Sequence, residues 1–135
     1  MNEFIIWDDE DNKFIYWENV VFTKDKDDDF IIIMKEIDPI VSEGRNFKSF
    51  NYIGKKDINN NKIYADSSIC EIAIKHRTDG NRISIGYFVF NLEYLRHEVV
   101  FIDGYMKGKK EFYNGFMYRF KIVDTIQQNK LGLIK

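Results

Sequence analysis

Apolar and polar residues alternate with a period of two along much of this 135-residue chain. That period marks strands, whose successive side chains point to opposite faces of a sheet. Residues 3–7 and 13–17 flank a polar turn through Asn12 and Lys13 and predict a hairpin. Residues 30–37 form an apolar run rich in β-branched side chains and predict a further strand. Pro39 ends it, because proline supplies no ladder donor and restrains Asp38 before it. Residues 40–49 read as connecting structure, with Gly44 as its flexible point.

From there the pattern becomes dense. Residues 52–64 read as a strand, a tight polar turn and a second strand. Residues 68–75 (SICEIAIK) and 82–90 are predicted partners across Thr78-Asp79-Gly80-Asn81, the strongest hairpin signal in the chain. Asn91 is a candidate cap for a helical turn running to His97. Residues 98–102 form another strand, stopped at Asp103-Gly104, and a polar-aromatic loop lies between Gly108 and Gly115. Residues 116–123 read as the last strand, and Asp124 is placed to cap a short helix over residues 124–129, with Gly132 beyond its end. Short strands separated by turns, with little helix, argue for a mainly β small barrel or sandwich, and a closed barrel leaves fewer exposed edges.

Composition agrees with this pattern. Hydrophobic residues make up 44% and charged residues 31%, as in a folded globular protein, and the aromatic share of 16% favours pleated surfaces. A single cysteine cannot form an internal disulfide, which suits a reducing cytoplasm. No apolar run approaches the roughly 20 residues of a membrane span, and the acidic N-terminal stretch does not resemble a signal peptide. The expected location is therefore the cytoplasm, with no membrane partner. The net charge of −2 conceals a split, for residues 1–30 hold ten acidic side chains against three lysines, while the remainder carries twelve acids and seventeen bases. With more aromatic and isoleucine side chains than one small barrel must bury, the split predicts a symmetric homo-oligomer.

Each candidate for chemistry has a plain structural alternative. Asp25, Asp27, Asp29 and Glu36 stand at calcium-loop positions, but Phe30 occupies the place where such a loop needs glycine. Cys70 and His76 share a strand face, yet six residues separate them by roughly 20 Å. His97 could reach Cys70 only through tertiary contact, and the isoleucines around Cys70 suggest a packed thiol. No zinc spacing, nucleophile elbow or phosphate-cradling glycine loop is present in the sequence, so no enzyme, metal or cofactor is expected. The segment Tyr105, Lys107, Lys109, Lys110 and Tyr113 interleaves cations with aromatic rings, as single-strand-binding barrels do. Its bland alternative is a solvated lysine turn whose rings point into the core, and the acidic total charge favours that alternative.

One segment carries a resemblance. In Tyr52, Gly54, Asp57, Asn59, Ile63 and Tyr64 the chain resembles the Y-T-G-L-K-D-K-N-G-K-x-I-Y-E-G-D segment of the YopX family of small phage and prophage proteins. The opening hairpin with Trp7 is similar to that family's start, and the two matches keep their order. The chain departs from the pattern after Tyr64, where Ala65-Asp-Ser-Ser-Ile-Cys70 replaces E-G-D-I-V. The family's final G-N-I-Y-x-N-P element is echoed only by Ile126 and Asn129. The resemblance implies an N-terminal β lobe over residues 1–50 and an SH3-like barrel over 51–135. The family has no established biochemical activity. With no catalytic constellation in the sequence, the expected role is that of a non-catalytic phage or prophage accessory protein acting through contacts with a host or phage protein. The alternative is a nucleic-acid-binding module using the Lys107–Lys110 loop. A purely structural reading of the motif makes Gly54 and Asn59–Asn61 turn formers and Tyr52, Ile63 and Tyr64 anchors.

Overall fold

The computed structural model describes residues 3–9, 11–16, 20–24, 30–34, 47–76, 80–112 and 118–135. The fold is mainly β, with no helix among the described residues. The chain divides into two compact units, residues 1–51 and 52–135.

In the first unit, β1 (Phe4–Asp8) pairs antiparallel with β2 (Lys13–Tyr16), which is the predicted opening hairpin. Trp7 stands opposite Phe14, with ring centroids 4.8 Å apart. Ile5, Ile6 and Trp7 are all buried, so both faces of β1 are covered. Asn12 adopts a left-handed φ of 50° in the turn, a conformation asparagine tolerates well. A separate two-stranded sheet joins β3 (Val20–Lys24) to β4 (Phe30–Met34). Here β4 meets the expectation for residues 30–37, whereas β3 had no counterpart in the sequence reading. The strand β5 (Phe47–Lys56) begins earlier than the pattern suggested, so residues 47–49 are strand rather than connection. Pairing with β1 recruits them, since Phe47–Asn51 line up against Asp8–Phe4.

The second unit begins as β5 continues into its hairpin with β6 (Lys62–Tyr64). Its body is a curled half-barrel of five strands: β7 (Ser68–His76), β8 (Gly80–Asn91), β9 (Arg96–Gly104), β10 (Lys110–Phe112) and β11 (Tyr118–Thr125). The order β10-β9-β8-β7-β11 is a meander whose last strand returns beside its first, the strand order of an SH3-like barrel. Between β10 and β11 the tie is a side-chain one, with the Tyr118 hydroxyl donating to Glu111 Oε2 at 3.2 Å. The inner face gathers Cys70, Ile72, Phe88, Val99, Phe101 and Phe120, with Ile63 from β6 and Met106 closing the ends. Phe88 meets Phe120 edge to face at 5.1 Å, a favoured aromatic geometry.

Two glycines permit the curl. A Cβ on Gly86 would lie 2.6 Å from the Val100 carbonyl oxygen, next to a register shift between β8 and β9. Gly104 combines a φ of +84° with a Cβ direction that would collide with the backbone of Ile83 and Ser84.

Three sequence expectations are corrected. Residues 92–95 form a tight turn rather than a helical one, and β9 already starts at Arg96. Asn91 does cap, but its Oδ1 accepts from Glu93 N and Tyr94 N and closes an Asx turn between antiparallel strands. Asp124 likewise starts no helix. Its carboxylate accepts from Thr125 N, Lys130 N and Leu131 N, folding the C-terminal residues back on themselves. The stretch between Gly108 and Gly115 is not wholly a loop, since Lys110–Phe112 pair with Glu98–Val100 as β10.

One polar group of the second unit ties distant segments together, the carboxylate of Asp57. Its Oδ1 accepts from Asn59 N and Asn61 N, both at 2.9 Å, and its Oδ2 accepts from Ile122 N at 2.9 Å. Beside it, Ile58 N donates to Phe120 O at 2.9 Å. Hydrogen bonds to a charged acceptor contribute about 1.5–3 kcal/mol each, and losing one strands a donor. Asp57→Ala is therefore expected to destabilise the protein by about 3 kcal/mol or more, read as a lowered denaturant midpoint. Asp57→Asn should fall between, because its amide cannot accept from both Asn61 N and Ile122 N.

A second prediction concerns acid. Burial pushes the Asp124 carboxyl upward, but the N–H groups of Leu131, Thr125 and Lys130 outweigh it and hold the group below its ordinary 3.8. A depressed folded-state value stabilises the native state at neutral pH, and that contribution is lost as pH falls below about 4. The protection of the Lys130 and Leu131 amides, taken relative to the intrinsic exchange rate at each pH, should fall there in the wild type. In Asp124→Asn the same amides should be poorly protected at every pH; strong protection in that variant would show that the carboxylate is not the clamp.

Candidate functional site

The motif residues in 52–64 build a hairpin whose turn is stitched to the last strand. Tyr52 stands opposite Tyr64 with ring centroids 6.1 Å apart, and Lys62 Nζ lies 5.7 Å over the Tyr52 ring. Gly54 takes a φ of +85° where the register of β5 against β6 shifts, and open space surrounds its missing Cβ. Backbone conformation rather than crowding therefore selects glycine there. Asn59 contributes its N–H to the Asp57 clamp, and Ile63 is fully buried in the core. Trp7 packs in the first unit. Through backbone or side chain, each of these residues takes part in the hairpin, its turn or the packing of its own unit.

The basic segment is differently placed from what its spacing suggested. Tyr105 is half exposed and lies under the Arg82 guanidinium, 4.4 Å from ring centroid to Cζ. Lys107 and Lys109 sit exposed on a turn held by Lys107 N to Gly104 O, Gly108 N to Phe101 O and Lys109 N to Met106 O. Lys110 belongs to β10 and pairs with Glu98 at 3.2 Å. Tyr113 lies outside the described residues. Tyr105 and Phe112, the described rings of the segment, do not turn into the core, and they do not form one platform either. Tyr105 follows the end of β9 and Phe112 packs near its start, roughly 26 Å apart along the strand.

At that start lies a surface the sequence reading missed. The β8–β9 turn carries Leu92, Tyr94 and Leu95, which are 80%, 58% and 74% exposed. Arg96 lays its guanidinium 3.6 Å over the Phe112 ring and 5.8 Å from that of Tyr94, and the two rings meet edge to face at 5.4 Å. Phe90, also largely exposed, meets His97 edge to face at 5.1 Å. Below them Asn91 Nδ2 donates to Glu98 Oε1, and Lys110 pairs with the other carboxylate oxygen. The Asn91 hydrogen bond, assisted by Lys110 and Arg96, holds the Glu98 carboxyl below its ordinary value despite burial. Leu95 takes a φ of 54°, a left-handed conformation costing a branched side chain about 1–2 kcal/mol. A turn built only for chain reversal would carry glycine or asparagine there. The visible signal was the sequence Asn91-Leu-Glu-Tyr-Leu-Arg96 itself, which puts large apolar side chains between two strands where turn formers usually stand.

The remaining candidates resolve individually. Burial pushes the Cys70 thiol up to about 12, and the nearby Asp57 carboxylate adds to the effect. A thiol held that high is a packing group at neutral pH rather than a nucleophile. His76 ends β7. Burial lowers His97, which Asp66 partly opposes, and burial raises Asp66, which His97 partly opposes. Among the described residues no group of three or more His, Cys, Asp or Glu is arranged to hold a metal ion. Asp25, Asp27, Asp29 and Glu36 lie outside the described residues. Among the described residues no helix is long and apolar enough to cross a membrane.

No curated protein matches the chain. The family model described as YopX protein does match, over residues 3–126, from the residue before β1 to the one after β11. It takes in the opening hairpin, the Asp57 turn and the whole meander, and the chain thus belongs to the YopX family.

Proposed function

We propose that this chain is a non-catalytic phage or prophage accessory protein that works in the host cytoplasm by binding another protein. Family membership supports the phage setting. The observation that carries the binding role is the β8–β9 turn, where exposed Leu92, Tyr94 and Leu95 stand beside the Arg96–Phe112 stack. Tyrosine, arginine and other large rings dominate the energetics of protein interfaces, and rings already locked in place lose little entropy on binding. Asn91 Oδ1 accepts from Glu93 N and Tyr94 N while its Nδ2 donates to Glu98, which fixes the turn before any partner arrives. Within this reading the motif residues Tyr52, Gly54, Asp57, Asn59, Ile63 and Tyr64 form the scaffold, and the turn is the working surface. A nucleic-acid role would rest on Lys107 and Lys109, because Lys110 and Tyr105 already have partners in the fold.

The test is affinity capture of the tagged protein from phage-carrying host cells, with and without nuclease, beside Leu92→Ser and Tyr94→Ser variants. A phage or host protein should be retained by the wild type at stoichiometric yield and lost at least tenfold in either variant. Both variants should keep the wild-type melting temperature, since neither side chain is in the core. Equal recovery by wild type and variants would refute the assignment. Nuclease-sensitive recovery that instead depends on Lys107 and Lys109 would replace it with nucleic-acid binding.

A further inference from the structure

We infer that the β8–β9 turn is also a contact between two copies of this chain related by a two-fold axis. The inference deepens the protein-binding reading by naming one partner, a second copy. It starts from the pattern of the turn: apolar Leu92, Tyr94 and Leu95 are interrupted by Glu93 and followed by Arg96, all exposed. A two-fold contact makes each residue i meet residue j while j meets i. Laid against itself, such a surface can match Leu92, Tyr94 and Leu95 with their counterparts and set Glu93 of each copy on Arg96 of the other.

The two charges are available for this arrangement. Glu93 uses its backbone N–H for the Asx turn, leaving its carboxylate on the exposed side. Arg96 is held by its flat face on Phe112, and a stacked guanidinium keeps its N–H edge for a carboxylate. Glu98, the other acid of the neighbourhood, is already matched by Asn91 and Lys110. Glu93 and Arg96 are the exposed pair of opposite charges on the turn itself, with Arg96 also acting on the buried Glu98 beneath. Leu95 supplies a second, independent reason. Its left-handed backbone opposes a branched side chain, while its 74% exposure means it fills no place in the core of its own chain. Strain at an exposed apolar residue points to a use outside the fold.

A turn and its flanking rings fall short of the about 800 Å² per partner typical of stable complexes, so the dimer should depend on concentration. Sedimentation velocity across a hundredfold range of protein concentration should show monomers giving way to dimers. Leu95→Gly is the sharp variant, because glycine accepts the left-handed conformation and should leave the melting temperature unchanged or raised. Its dimer should nonetheless weaken at least tenfold. Glu93→Arg and Arg96→Glu should each be monomeric, since each sets like charges against each other across the axis. Mixed one to one, they should regain dimer, because every contact then joins arginine to glutamate. A wild type that stays monomeric throughout the range, a Leu95→Gly dimer of undiminished strength, or a mixture that fails to recover would each overturn the inference. If the wild type is monomeric while Tyr94→Ser still loses a captured host or phage protein, the protein-binding reading stands and the two-fold contact alone falls.

Discussion

The second unit depends on one buried carboxylate. Asp57 is the residue at which the β5–β6 hairpin turn, the edge of β11 and the core meet. Two of its hydrogen bonds close its own turn, and the third reaches 65 residues along the chain to Ile122 N. That long-range bond falls where β11 slips its register against β7, between Ile122 and Asp124. A bulge leaves a backbone group without its ladder partner, and such a group buried without a substitute is costly. Asp57 supplies the acceptor, while Ile58 N takes the Phe120 carbonyl beside it. The turn thus covers part of an edge that would otherwise offer itself to another strand. The same carboxylate raises the Cys70 thiol, so the group that secures the edge also helps keep the cysteine unreactive.

The C-terminal stretch extends this logic. Asp124 collects three backbone N–H groups, and Asn129 exchanges both of its amide functions with the backbone of Ile134. Ser67 donates to Gln127 Oε1 at 2.7 Å, and Gln127 Nε2 donates to the Asp66 carbonyl at 3.0 Å. Asp66 and Ser67, just after the β5–β6 hairpin, therefore receive the C-terminal residues. Ile126 N completes the join on the Ser67 carbonyl at 2.8 Å. Residues 66–67 and 126–127, far apart in sequence, meet at one seam in this fold.

Strands with long period-two stretches and strong turns were legible in advance. The opening hairpin, the Tyr52–Tyr64 hairpin, β7 with β8, and β11 all follow from alternation bounded by polar turns. What escaped was short or borrowed. Three-residue β10 carries too little pattern to register, and it exists because Glu98–Val100 offer it a ladder. Residues 47–49 look polar and irregular but are held by β1. Asn91 and Asp124 were read as helix caps because the same side-chain acceptors serve both helices and Asx turns, and only tertiary pairing decides between them. The scaffold residues of the motif were found from sequence. The exposed turn was not, because Asn91 followed by Leu, Glu, Tyr and Leu reads as a capped helical turn until the strands on either side are seen to pair.

That misreading identifies what separates scaffold from surface in this protein. In the scaffold, local chemistry and global fold agree: Gly54, Gly86 and Gly104 stand where backbone geometry requires them, and Asp57 stands where donors converge. At the β8–β9 turn they disagree. Leucine occupies a left-handed position, apolar side chains face solvent, and a buried Glu98 anchors the strands beneath. Sequences that fold well are consistent across levels, and departures concentrate where something other than folding is selected. The turn is also well braced, gripped by Asn91, Glu98, Lys110 and the Arg96–Phe112 stack. A loop that was apolar by accident would gain nothing from such bracing. Apolar exposure, backbone strain and rigidity occurring together are what a preformed contact surface requires.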